Sequence, residues 1–361
     1  MKRITTKKLE PGMVLADNVY AYDSGKLIYA KKTVLDDEAI TKLIFYSIIN
    51  VLVEDEEDKS KALKHSDNNS QSYGQRIRQT KEFKAFKKEF EGCAQNFKEV
   101  IRDAIDGKNN IDIEKLTGPV LELMDKGRGA ANIFDMLHNL RDYDDATYTH
   151  SINVAMISNI IAQWMKMSKE DIKVATQAGM LHDVGKLLIP NEIITKPARL
   201  TNDEYVIVKT HPTQGYNLLK TMDINEHVKN TALMHHERCD GSGYPLGLKD
   251  DKIDKFAKLV SIADVYDAMT SVRVYRSSVC PFAAIETFEK EGLRKYDTDI
   301  LLTFLINIAN TYLLYSVRLN DGTVGEIVFI NRDYLSRPTV KCGSEYIDLS
   351  VKPNLYIKEI I

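Results

Sequence analysis

Apolar positions recur along this chain at two different intervals. From about residue 76 to 312 they return every three or four residues, the spacing that lays an apolar stripe along an α-helix. On either side the runs are shorter and alternate, as half-buried strands do. Near the N-terminus, MVLADNVYAYDSGKLIYA predicts a hairpin turning at Asp23-Ser24-Gly25, and DDEAITKLIFYSIINVLVEDE predicts a short helix followed by a strand. Residues 56–75 are polar, rich in serine and asparagine and without apolar period, and read as a linker. Residues 313–361 alternate again around turn residues such as Asp321-Gly322. The expected fold is therefore mainly α. A helical connector (76–143) and a helical bundle (144–312) lie between a small N-terminal α+β module (1–55) and a small C-terminal β module (313–361).

Two helix starts are marked inside the bundle, a full capping-box pattern at Thr201–Glu204 and a similar one at Ser168–Asp171. Composition narrows the class further. With 43% hydrophobic and 28% charged residues the chain reads as a soluble globular protein of two or three domains. A formal net charge of -3 argues against a nucleic-acid polymer as partner, since a general binder carries a basic excess. Cys93, Cys239, Cys280 and Cys342 are scattered and form no CxxC pair, which argues against a disulfide framework and against a cysteine-rich zinc site. No apolar run reaches bilayer length and MKRITTKKLE lacks a signal core, so no membrane partner and a cytoplasmic location are expected.

The chemistry concentrates in histidines. Five of the eight are His150, His182, His211, His235 and His236, joined by Asp183 directly after His182 and by Asp264 in the apolar run FAKLVSIADVYDAM. Successive members are separated by roughly one helix plus one connection, so each helix of a bundle can aim a ligand inward. His182 follows Ile172, Ala175 and Ala178 on one stripe, His211 follows Ile207 and Val208, and Asp264 shares a face with Phe256 and Val260 that Asp267 extends. A buried carboxylate needs a cation or strong donors. A lone histidine on an apolar stripe is an ordinary core residue, the reading given to His65, His138 and His227; five at helical intervals with two aspartates reverse it. A nitrogen and oxygen donor set without thiolate suits iron, manganese, cobalt, nickel or zinc better than calcium or magnesium. Seven donors exceed the needs of one ion, so two divalent ions are expected, bridged by Asp183 and a hydroxide and suited to in-line phosphoryl displacement.

Leu181-His182-Asp183-Val184-Gly185-Lys186 resembles the HD motif of the metal-dependent phosphohydrolases. His235-His236-Glu237-Arg238-Cys239-Asp240-Gly241-Ser242-Gly243-Tyr244-Pro245 resembles the second signature of the HD-GYP subfamily. His211-Pro212 between them, and IADVYDAMTS with Arg273 and Arg276 after them, follow the same order. The resemblance spans residues 144–312 and implies an HD-type helical bundle. It implies a phosphodiesterase that hydrolyses cyclic di-GMP to pGpG, and onward to GMP, with iron or manganese as the expected metal. It makes His150, His182, Asp183, His211, His235, His236 and Asp264 metal ligands. It makes Asp183 and Lys186 catalytic, with Lys186 positioning a water or phosphate oxygen. Lys186, Tyr244, Arg273 and Arg276 would bind substrate, in keeping with the fit of arginine forks to phosphate. Some members take a third metal through a glutamate one turn before the first histidine; here that position is Ala146, which favours two. Val274 stands where proline is common. Two alternatives remain beside this one: a slow or inactive cyclic-dinucleotide-binding signalling module, and a phosphodiesterase for another cyclic dinucleotide. The terminal modules would serve a homodimer or a signalling partner.

Overall fold

The computed structural model describes residues 2–20, 27–46, 48–54, 77–107, 111–126, 129–140, 146–194, 196, 200–270 and 280–361. The linker at 56–75, the turn at Asp23-Ser24-Gly25, His65, Arg273 and Arg276 lie outside those residues.

The N-terminal part has its own small core. Strand β1 (Lys2–Thr5) pairs antiparallel with β4 (Asn50–Val53), and β2 (Val19–Tyr20) with β3 (Leu27–Tyr29). Between β3 and β4 runs α1 (Asp37–Phe45), started by Asp36, whose carboxylate accepts a hydrogen bond from the Ala39 amide at 2.7 Å. Ile4, Leu15, Leu35, Ile40, Leu43 and Val51 close this core. Helix α1 reaches the rest of the molecule through Lys42, 3.2 Å from Glu291, and through Tyr46, whose hydroxyl donates to the same carboxylate.

The apolar stripes condense into the main core. Helix α2 (Lys81–Ile105), capped by Thr80, buries Phe83, Phe86, Phe90, Phe97 and Ile101 at three-, four- and seven-residue steps. It packs with α3 (Ile113–Asp125) and α4 (Ala130–Asn139) over the inner pair, α5 (Ala146–Trp164) and α6 (Lys169–Leu181). That pair touches closely: a Cβ on Gly179 would lie 2.9 Å from Ala155 Cα. Four further helices follow, α7 (Asn191–Ile194), α8 (Asn202–Val208), α9 (His211–Leu219) and α10 (Glu226–Met234). Helix α11 (Lys255–Thr270) is buried on nearly every side and packs against α5, α6 and α10. Helices α12 (Pro281–Glu291) and α13 (Thr298–Thr311) complete the bundle.

A five-stranded antiparallel sheet ends the chain: β5 (Ser316–Leu319), β6 (Val324–Phe329), β7 (Thr339–Cys342), β8 (Glu345–Asp348) and β9 (Ile357–Ile360), in the order β8-β7-β6-β5-β9. Val317, Leu319, Ile327 and Val340 join the helical core. Glu289 of α12, whose carboxyl pKa burial raises, accepts hydrogen bonds from the Leu335 and Ser336 amides at 2.6 and 3.3 Å and pins the sheet's long loop to the bundle. The architecture is mainly α, as the two apolar intervals predict. Among the described residues no helix is long and apolar enough to cross a membrane.

Candidate metal centre

The ends and flanks of five helices converge where α5, α6, α9, α10 and α11 meet. His150 comes from α5, and His182 caps the C-terminus of α6. Asp183 follows, before a 3₁₀ turn at Val184–Leu188. His211 is the first residue of α9, His235 caps the end of α10 with His236 next, and Asp264 sits within α11. Glycine makes the approach possible: a Cβ on Gly185 would stand 2.0 Å from the His211 carbonyl oxygen and 2.5 Å from the Gly215 amide.

All seven side chains read from the spacing are brought together, in two adjoining groups. Asp183, His211, His235 and His236 form one; His150, His182 and Asp264 form the other, and within each the candidate donor atoms lie within 4.8 Å of one another. Asp183 stands between them. Its Oδ1 lies 3.2 Å from His211 Nε2 and 3.4 Å from His235 Nε2, while its Oδ2 lies 3.4 Å from His182 Nε2 and 3.7 Å from His150 Nε2. Lys186 Nζ pairs with the same Oδ2. Asp264 Oδ1 is 3.1 Å from His150 Nε2 and 3.9 Å from His182 Nε2.

The tautomers follow from the partners. Backbone carbonyls only accept, so Nδ1 carries the proton in His182 (2.7 Å to Gly179 O), His211 (2.7 Å to Val208 O) and His235 (3.1 Å to Thr231 O and Ala232 O). Their Nε2 lone pairs therefore face inward. His211 Nε2 and His235 Nε2 meet at 3.3 Å, two lone pairs with no proton of their own between them. Burial lowers the His235 pKa to about 4 and also lowers those of His211 and His236, which favours the neutral form of these three rings. Three buried atoms, His182 Nε2, Asp183 Oδ1 and His236 Nδ1, have no hydrogen-bond partner. Each such atom costs about 1–3 kcal/mol when left unsatisfied. A divalent cation in each group would engage these lone pairs, so the donor set fits two ions.

The carboxylates agree. Burial alone would raise the Asp183 and Asp264 pKa values. Lys186 and His182 reverse it for Asp183, and His150, by hydrogen bond and by charge, does so for Asp264, so both stay well below the usual carboxylate range. Burial would lower His150, yet its contacts with Asp264 and Asp267 outweigh it and hold the ring at about 9. This end of the site demands positive charge.

Some functional neighbours were not given roles by the sequence. Asp267 was legible only as an extension of the Asp264 face; it accepts from His150 Nδ1 at 2.7 Å and from Asn153 Nδ2 at 2.9 Å, fixing the ring. Its offset of three residues from Asp264 was the available signal. Glu237, 2% exposed, accepts hydrogen bonds from the Leu246 and Leu248 amides at 2.7 and 2.9 Å and folds the glycine-rich loop back over the site. Gly243 there passes so close that a Cβ would meet Glu237 Cα at 2.4 Å. The Tyr244 ring stacks on His236 at 4.6 Å and 22°. One sequence inference changes. Ile207 and Val208 do not share the buried face of His211, because α8 ends at Val208 and Pro212 opens a new helix at His211; Ile207 is exposed.

Residues 136–300 match the HD domain family model. The chain is 33% identical to a cyclic di-GMP phosphodiesterase of Pseudomonas aeruginosa over 206 residues, 57% of this chain and 50% of that protein. It is 36% identical to a cyclic di-GMP phosphodiesterase of Thermotoga maritima over 176 residues, 48% of each. Over 133 residues, 37% of this chain and 31% of the relative, it is 38% identical to 3'3'-cGAMP-specific phosphodiesterase 1 of Vibrio cholerae. The chain thus spans half or less of the length of each of these relatives. The segment that matches the HD domain model, residues 136–300, contains the His182-Asp183 pair and all seven clustered side chains.

Proposed function

We propose that this chain is a metal-dependent phosphodiesterase of the HD-GYP type that hydrolyses cyclic di-GMP to linear pGpG, using two divalent cations, iron or manganese. One observation carries it: inward-facing imidazole lone pairs and two buried carboxylates converge as two groups around Asp183. In this reading His150, His182 and Asp264 hold one ion, His211, His235 and His236 the other, and Asp183 serves both. Bound there, divalent ions supply Lewis acidity, offsetting charge on the phosphoryl oxygens and making water acidic enough to attack at neutral pH.

The protein's own groups do the rest. Asp183 and Lys186 form an ion pair at the junction, which leaves the ammonium beside the position a reacting phosphate would take. Asp267 and Asn153 keep the His150 ring oriented. Tyr244, held against His236 by its loop, borders the imidazole group and would contact substrate. Arg273 and Arg276, outside the described residues, are assigned to substrate phosphate by the motif resemblance alone. The names of relatives support both cyclic di-GMP and its hybrid analogue as substrates, so the two are to be compared directly.

The test uses full-length protein prepared without oxygen, loaded with iron or manganese and incubated with each cyclic dinucleotide. Appearance of linear dinucleotide is the expected result. Tight binding of cyclic di-GMP without turnover in any metal form would replace the proposal with a binding module.

A further inference from the structure

Beside Tyr244 lies a cation that the proposed chemistry leaves unused. Lys209 Nζ is 4.5 Å from the centroid of the Tyr244 ring and 5.6 Å from that of Tyr205. Tyr244 stacks on His236, whose ring is 5.0 Å from His211 and 4.2 Å from His235. The backbone of Lys209 is tied to the same group, since it caps the C-terminus of α8 inside the short loop closed by the bond from His211 Nδ1 to the Val208 carbonyl. Lys209 is thus fixed at both ends relative to the donor histidines.

Its charge sets it apart. Lys186 is neutralised by Asp183, and Lys196 by Glu204. Among the described residues no carboxylate pairs with Lys209, whose ammonium rests on two aromatic rings. Cation–π contacts of about 0.5–2 kcal/mol position an ammonium while leaving its charge uncompensated, ready for an anion. A cyclic dinucleotide carries two phosphodiester anions, and only one can occupy the reacting position beside Asp183 and Lys186. The other needs counter-charge a short way along the site, where Lys209 can act beside whatever Arg273 and Arg276 supply.

Building on the proposed function, we propose that Lys209 binds the second, non-reacting phosphate of the cyclic dinucleotide and so sets a preference for the two-phosphate ring over a simple diester. Metal-loaded wild type, Lys209→Met and Lys209→Arg are compared on cyclic di-GMP and on bis(p-nitrophenyl) phosphate, a diester with one phosphate. Titration calorimetry of cyclic di-GMP with chelator-treated protein adds a readout independent of turnover. The expected result is that Lys209→Met lowers the ratio of kcat/KM for cyclic di-GMP over the simple diester by about tenfold or more, as suits one charged hydrogen bond, mainly through KM. Its calorimetric affinity falls by a similar factor, and Lys209→Arg restores most of both. Equal losses on the two substrates would show that Lys209 only supports the Tyr244 loop and would overturn the proposal, as would an unchanged ratio with unchanged affinity. A wild type inactive on both substrates would instead defeat the phosphodiesterase reading, and the Lys209 assignment with it.

Discussion

Two sets of histidines sit in the same helical bundle and treat their nitrogens in opposite ways. His138 of α4 packs against Phe134 and Tyr266, with ring centroids 6.2 and 6.0 Å away. Its Nε2 meets the Tyr266 hydroxyl at 3.3 Å and its Nδ1 the Tyr312 hydroxyl at 3.4 Å, so both nitrogens have partners. Around Asp183, His182, His211 and His235 use Nδ1 on backbone carbonyls and His150 uses it on Asp267, while the Nε2 atoms of His211 and His235 face each other at 3.3 Å. Enclosure pulls the pKa of both His138 and His235 to about 4, so low basicity alone does not separate the two kinds. What separates them is the fate of the second nitrogen. A core histidine closes its hydrogen bonds within the protein, whereas His182 Nε2 and His236 Nδ1 are left without a protein partner at points where a cation would engage them.

The contrast breaks most severely if both donor groups are removed at once. His182→Ala combined with Asp183→Ala is expected to lower cyclic di-GMP hydrolysis by about three orders of magnitude or more, since the ions supply several kcal/mol of transition-state stabilisation. Circular dichroism should show the bundle intact. Striking one group alone sharpens the distinction between them: His235→Ala should reduce bound metal toward one ion per chain, with activity down at least about a hundredfold because paired ions act together. Asp267→Asn touches no proposed ion directly but frees the His150 ring, and a loss of about 10–100-fold in metal affinity is expected in competition with a chelating dye.

The smallest effect on the site should come from the other histidine. His138→Phe should leave metal content unchanged and cost about 1–3 kcal/mol in denaturant unfolding, because the Tyr266 and Tyr312 hydroxyls each lose a partner. Its pH signature has a definite sign. The folded pKa of about 4 lies below the ordinary 6.5, so the unfolded chain binds the proton more readily. This contribution is full above about pH 6.5 and fades as pH falls toward 4, and the acid limb of a stability–pH curve should be shallower in the variant.

Much of this was legible in the sequence, and for physical reasons. His182 ends a helix whose apolar stripe places it inward, Asp264 sits in an apolar run that is buried on nearly every side, and the order of the motifs supplies His150, His211, His235 and His236. Three things were hidden. The inward turn of His211 depends on a helix break at Thr210-His211-Pro212, so the exposed Ile207 misleads a continuous periodicity. Strand β1 is the polar stretch Lys-Arg-Ile-Thr, which gains its place only by pairing with β4, some forty-five residues away. Glu237 reads as one more charge in a polar loop until the loop folds back and its two amides reach the carboxylate. Strand β1 and Glu237 depend on partners beyond the reach of local pattern, whereas the break at His211 is a local proline signal that the apolar spacing of Ile207 and Val208 obscures.

The central claim is that two cations belong between these side chains, and counting them is the most direct test. Full-length protein loaded with iron or manganese without oxygen, desalted and measured by elemental analysis, should retain two ions per chain, with none held by the His182→Ala, Asp183→Ala double variant. Metal content of one ion or fewer in the wild type, or equal content in the double variant, would contradict the account.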